Sequence, residues 1–238
     1  MVHTDSVELS HPLASLLPSA EAGALAVLIG TEAPLTGRRI AELAGETTHA
    51  STLRALRRLS DQGLVHVEAA GRAHLYRLNR DHVLAAPLIE MASATTRLRH
   101  QLADRVSTWQ VPALHVSLYG SVARGEATSS SDVDVLVVRP ESLDPAQVGI
   151  WEDQLAALEI EVYSWTGNHL SWLDTTLKDL RRAAAAGEPI FQSWRDDAIL
   201  LAGRPLSVSR RPEAGMPVRT MQRQPASWGA RTQPWAGS

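Results

Sequence analysis

Two hydrophobic periods share this chain, and they divide it near residue 110. Up to there, apolar residues recur every three or four positions. Residues 21–29 place Leu25, Leu28 and Ile29 on one side of a short helix. Pro34 and Gly37 break the pattern. Residues 38–44 form a second helix with Ile40 and Leu43 inward and Gly45 at its end. Thr47 or Thr48 caps a third helix running to about residue 62, with Leu53, Leu56 and Leu59 as its apolar face. Residues 65–68 and 74–78 alternate across an Ala70-Gly71 turn, which predicts a hairpin.

This order of helices and hairpin resembles winged-helix domains of the bacterial transcription-regulator type. The matching residues are Ile40-Ala41-Glu42-Leu43-Ala44, the Leu53 to Leu59 stretch, Gly63-Leu64-Val65, Gly71-Arg72 and Leu75-Tyr76-Arg77-Leu78. The resemblance covers residues 20–80 and implies a duplex-DNA-binding unit. His49, Ser51 and Thr52 would then enter the major groove, and Arg54, Arg58 and the wing-tip Arg72 would touch phosphates. A protein-docking winged helix is the other reading.

A long helix is expected over residues 87–109. Leu84, Leu88, Met91, Leu98 and Leu102 form a stripe that suits either a homodimer seam or packing against its own chain. Beyond it the pattern becomes that of a mixed sheet. Strands are predicted at 114–119, 133–138 and 160–163, and helices at 146–158 and 170–186, while residues 190–201 close the fold. The expected architecture is α+β in two domains. A flexible leader covers 1–18, a winged-helix domain 19–82, a linker helix 83–110, a small mixed-sheet domain 111–205, and a disordered tail 206–238.

Composition changes this picture little. The 238 residues include no cysteine, which excludes disulfides and thiolate metal sites. No charged and apolar leader opens the chain, so a soluble cytoplasmic protein without membrane contact is expected. The net charge of −3 is unevenly spread. Lys+Arg against Asp+Glu is 10 to 10 over residues 1–100, 8 to 15 over 101–205 and 5 to 1 over 206–238. The acidic block coincides with the small mixed-sheet domain, where carboxylates can attract Mg²⁺.

The chemistry concentrates in Leu118-Tyr119-Gly120-Ser121-Val122-Ala123-Arg124-Gly125, followed after five residues by Ser131-Asp132-Val133-Asp134. A glycine lets backbone approach a phosphate closely, and Ser121 adds a hydroxyl. Asp132 and Asp134, two apart on a strand, share one face and can hold a hard cation against a triphosphate. Glu161, expected mid-strand, supplies a third acid.

This segment resembles the Gly-Ser-x-Ala-Arg-Gly … Ser-Asp-x-Asp signature of minimal nucleotidyltransferases, in the DNA polymerase beta-like superfamily. The resemblance covers residues 110–203. It implies that Asp132, Asp134 and Glu161 are catalytic and bind Mg²⁺, two ions in all. It implies that Gly120, Ser121, Arg124, Gly125 and Ser131 hold the nucleoside triphosphate, ATP or another. Many such proteins carry aspartate where Glu161 is expected to stand. The implied reaction moves a nucleoside monophosphate to a hydroxyl of a partner protein or small molecule, in an antitoxin-like setting. The rival reading is a transcription regulator whose nucleotidyltransferase domain only senses nucleotide or partner.

Overall fold

The computed structural model describes residues 6–206 except 46, 189–190, 192–193 and 195–196. The tail expected from residue 206, with Trp228 and Trp235, lies outside the described residues apart from Leu206.

Helices α1 (Ser19–Ile29), α2 (Gly37–Ala44) and α3 (His49–Asp61) form the first layer, with the two-residue strand β1 (Leu35–Thr36) before α2. Local chemistry sets their starts. Thr36 accepts from the Arg39 N–H, and Thr48 from the Ser51 N–H, each satisfying a donor that the first turn leaves orphaned. Strands β2 (Val65–Ala70) and β3 (Ala73–Leu78) pair antiparallel across Gly71, whose φ of +63° a glycine adopts freely. β1 adds to β3 at its other edge. Leu25, Leu28, Ile40 and Leu56 are fully buried at the centre of this unit. Leu43 is half exposed, so the inward face of α2 rests on Ile40 and Ala41, against the expected Ile40 and Leu43.

The leader is not loose where it is described. Leu13, in a 3₁₀ turn over Pro12–Ser15, is buried in this first core. Leu9 is buried in the core of the second unit, and the Val7 N–H donates to the Thr166 carbonyl at 2.9 Å. Burying two leucines, at roughly 1.5–3 kcal/mol each, outweighs the freedom of a short proline-bearing leader.

The expected linker helix is two helices, α4 (Ala85–Ala92) and α5 (Ala94–Ser107), parted at Ser93. Leu88 and Met91 pack on the first core, while Leu98, Leu102 and Val106 are buried in the second. Four of the five stripe residues therefore pack within the chain, while Leu84 is half exposed.

The second unit is a four-stranded sheet ordered β6-β5-β4-β7. Its strands are β4 (His115–Tyr119), β5 (Val133–Arg139), β6 (Leu170–Thr176) and β7 (Ile199–Gly203). Helix α6 (Gly120–Arg124) follows β4, α7 (Pro145–Thr166) joins β5 to β6, and α8 (Leu177–Ala186) follows β6. β4 pairs antiparallel with β5 and β7, whereas β5 and β6 are parallel, as a helical crossover allows. Val116, Leu118, Val133, Val135 and Val137 face α5 and α7. Tyr119, Leu136 and Val138 face the opposite way, towards Leu180 and Trp194.

Two expectations fail here. Residues 160–163 belong to α7, not to a strand. Trp151, Leu155, Leu158 and Val162 make one buried stripe at helical spacing, while Ile160 is 70% exposed. Residues 170–176 are strand β6, not helix, because they pair along the whole of β5. Among the described residues no helix is long and apolar enough to cross a membrane.

Candidate active site

The site grows from the end of β4. Tyr119 is extended, and Gly120 then turns at φ +72° to open α6. A Cβ on Gly120 would collide with the Asp134 carboxylate, its carboxyl carbon only 3.1 Å away. Glycine is required here both for the left-handed backbone and for the close approach. Helix α6 ends on Gly125, again left-handed, whose N–H caps the Ser121 and Val122 carbonyls.

Strand register brings the rest together. Asp134 pairs with Tyr119 on one side and with Ser171 on the other. Laterally paired residues point to the same face of a sheet. Asp134 is thus flanked by Tyr119 and Ser171, with Gly120 against it and Asp132 two positions earlier. The hydroxyl-bearing Ser171 is the lateral neighbour of Asp134 on β6. Burial raises the Asp134 carboxyl above the usual range. The Ser171 hydroxyl opposes that rise, the like charge of Asp132 adds to it, and Arg124 opposes it. Tyr119 is pushed up to about 12, first by burial and then by the Asp134 charge. Asp132 is exposed, and Ser121 is half-buried at the start of α6.

The loop carrying Asp132 is fastened by groups that the sequence pattern did not single out. Thr128 N–H donates to Ser131 Oγ at 3.0 Å, and the Asn168 side-chain amide donates to the Ser131 carbonyl at 3.0 Å. Asn168 is 1% exposed. Ser131 therefore pins the loop. Arg124 bonds Glu126 at 2.7 Å and Asp197 at 2.9 Å, which sets its guanidinium at the edge of the site.

Glu161 is not part of this group. It sits on α7 and forms an ion pair with Arg105 of α5 at 2.7 Å. Among the described residues, no three His, Cys, Asp or Glu side chains converge as a metal site would require. The position facing Asp134 from the neighbouring strand is Ser171. Asp174, the acid of β6, has opposite parity and accepts from Trp151 Nε1 on α7 at 3.2 Å. No sequence signal marked Ser171, because its importance comes from register alone.

The residues present suit a hard divalent cation. Two carboxylates and two serine hydroxyls are all oxygen donors, and Mg²⁺ characteristically takes one or two carboxylates and leaves further positions to substrate phosphates.

The first unit places the other expected site residues unevenly. His49, Arg54 and Arg72 are exposed, and Ser51 is half-buried with its hydroxyl donating to the Thr48 carbonyl at 2.8 Å. Thr52 is fully buried, its Oγ1 donating to the same carbonyl at 3.1 Å. It faces the core beside Ala55, Leu56 and Leu59 and cannot read a base edge. Arg58 pairs with Glu21 of α1 at 3.0 Å, so it braces two helices.

The family model of the nucleotidyltransferase domain matches residues 99–182. That stretch runs from α5 into α8 and contains Gly120, Ser121, Asp132, Asp134 and Ser171. The match supports a nucleotidyltransferase. No curated protein matches the chain. Among solved structures it is similar to a chain of a toxin-antitoxin crystallised with AMP-PNP. That similarity has 20% identity and a TM-score of 0.31, and covers 44% of this chain and 73% of that one.

Proposed function

We propose that residues 111–205 transfer a nucleoside monophosphate, AMP from ATP, to a hydroxyl of a protein or small molecule. The observation that carries this reading is the packing of Asp134 against Gly120, inside the stretch that matches the family model. Asp132 and Asp134 would hold Mg²⁺, and Gly120 with Ser121 would receive the triphosphate. Mg²⁺, when bound, supplies positive charge that offsets the phosphates in the transition state. The acceptor oxygen attacks the α-phosphorus, the bond to the bridging oxygen breaks, and pyrophosphate leaves. The acceptor's proton passes to solvent. Gly120 keeps its backbone close to the carboxylate, and Ser171 stands beside Asp134. A protein tyrosine or serine hydroxyl is the preferred acceptor, in an antitoxin-like pairing. The test is incubation of the full chain with α-labelled ATP, Mg²⁺ and the products of neighbouring genes. Label on one of those proteins supports the reading, and no transfer to any acceptor refutes it.

A second reading is favoured by Ser171 standing where a third acid was expected. In it, the domain senses nucleotide and does not turn it over. Stoichiometric ATP binding without pyrophosphate release would select it.

We further propose that residues 19–82 are a winged helix that binds duplex DNA. The helix–helix–helix–hairpin order and the exposed His49, Arg54 and Arg72 support this. Thr52, fully buried, takes no part, and Arg58 is held by Glu21 of α1. Binding of the full chain to its own promoter should weaken with salt, by a slope near −0.9 per phosphate neutralised. A salt-independent titration, or none at low salt, would reassign the unit to protein docking.

A further inference from the structure

Asp132 is exposed, yet the backbone that carries it is held on both sides of its Cα. The peptide before it is fixed through the Ser131 carbonyl, which accepts from the Asn168 side-chain amide at 3.0 Å. The peptide after it is fixed through the Val133 N–H, which donates to the His169 carbonyl at 2.8 Å. Two consecutive residues at the entrance to β6 thus set both peptide planes flanking Asp132, and with them the direction in which its side chain leaves the chain. The second bond is ordinary pairing of parallel strands, open to any residue at 169. The first is made by a side chain, so it depends on residue type.

Asn168 is placed by the end of α7. Gly167 turns left-handed there, its N–H donates to the Tyr163 carbonyl at 2.8 Å, and the Asn168 N–H donates to Thr166 Oγ1 at 3.0 Å. A carbonyl only accepts, so the amide nitrogen of Asn168 is the end that faces Ser131. The amide oxygen is buried and has no hydrogen-bond partner among the described residues. A buried amide left half satisfied burdens the fold, and an apolar side chain of similar size would fill the same place without that burden. What asparagine contributes is the bond to the Ser131 carbonyl.

We propose that Asn168 is a positioning residue, which acts through the backbone of Asp132 to aim that carboxylate at the divalent cation. The proposal rests on the nucleotidyl-transfer reading above. Asp134 needs no such help, because it lies within the sheet between Tyr119 and Ser171. Asp132 stands one residue before β5, at the end of the loop from α6, and takes its direction from Asn168 and His169.

The test uses the full chain and three variants, Asn168→Leu, Asp132→Asn and the two combined. Mn²⁺ is titrated in the presence of α,β-methylene-ATP and followed by electron paramagnetic resonance. Asn168→Leu should weaken Mn²⁺ binding about tenfold, as loss of a group that orients a metal ligand does. In the metal-free protein it should also speed hydrogen exchange in the loop before β5, while the melting temperature does not fall. Asp132→Asn should weaken Mn²⁺ binding too. Adding Asn168→Leu to it should cost little more, because a residue acting through Asp132 then has nothing left to position. Asn168→Ala gives the same reading if the leucine variant does not fold. Wild-type Mn²⁺ affinity in Asn168→Leu, unchanged loop exchange, or losses that multiply in the double variant would overturn the proposal and leave nucleotidyl transfer standing. If wild type itself binds no Mn²⁺ with the nucleotide, the nucleotidyl-transfer reading falls, and the role of Asn168 with it.

Discussion

Asp134 and Asp174 lie on adjacent parallel strands of one sheet, and burial raises the carboxyl of each. Their surroundings then diverge. Asp174 faces α7, where Trp151 Nε1 donates at 3.2 Å and Arg139 stands 3.5 Å away. The fold itself supplies a donor and a cation. Asp134 faces the other side, where Ser171 stands beside it on β6 and a second carboxylate, Asp132, acts on it. Arg124, the nearest cation to act on it, is already bonded to Glu126 and Asp197. A half-buried acid whose charge is answered inside the fold is structural. One that meets a like charge is prepared for a cation from outside.

The sharpest way to break this contrast is to remove each acid and measure transfer. Asp134→Ala should lower AMP transfer by at least about 10²-fold, because a cation ligand is lost, whereas Asp174→Ala should leave the folded fraction active. Equal losses in the two variants would erase the distinction. Gly120→Ala comes next. Its methyl group would displace the Asp134 carboxylate, and its backbone would be strained by about 1–3 kcal/mol, so both nucleotide affinity and melting temperature should fall. A variant that binds nucleotide normally would show that the close approach is incidental.

Stability should separate the two aspartates in the opposite sense. Asp174→Ala leaves the Trp151 N–H unpaired beneath α7 and should cost about 1–3 kcal/mol in urea unfolding. Asp134→Asn should stabilise the apo protein. The sign follows from the raised carboxyl. The protonated acid is favoured in the folded state, so its contribution is present below the unfolded value, about 3.9, and is lost as pH rises through the folded one. At neutral pH the ionised Asp134 therefore strains the fold, and asparagine removes the charge. The melting temperature at pH 7 should rise by a few degrees at most, and that gain should vanish near pH 3. A lower melting temperature at pH 7 would place Asp134 with Asp174 among the structural acids.

The two units also differ in how far their sequences reveal them. In the first unit, caps and apolar stripes act within a few residues, and Thr48, Gly71 and the Leu25-Leu28 face lie where local chemistry puts them. In the second, Gly120, Asp132 and Asp134 were legible because a single connection, helix α6 and its loop, joins two neighbouring strands at fixed spacing. Glu161 was misread because Glu159-Ile160-Glu161-Val162-Tyr163 alternates over five residues. The longer stripe of Trp151, Leu155, Leu158 and Val162 makes the same residues the end of a helix. Thr52 was misread because a threonine near a helix start suits both a groove and a core, and only packing against Leu56 and Leu59 chooses.

By itself, then, the sequence determined the helices of the first unit, the hairpin, the strands β4 and β5 and the motif of Gly120, Ser121, Asp132 and Asp134 at their facing ends, since each depends on contacts a few residues apart or on the one connection between β4 and β5. Only the tertiary structure decided which residue of β6 stands beside Asp134. The partner of Asp134 is set by the register of two parallel strands separated by a 22-residue helix. A shift of that register by one residue would exchange Ser171 for Trp172 or Leu170 and turn the other face of β6 to the cleft. Burial of Trp151, Leu155, Leu158 and Val162 beneath the sheet fixes where α7 ends, and so fixes which side chain reaches Asp134.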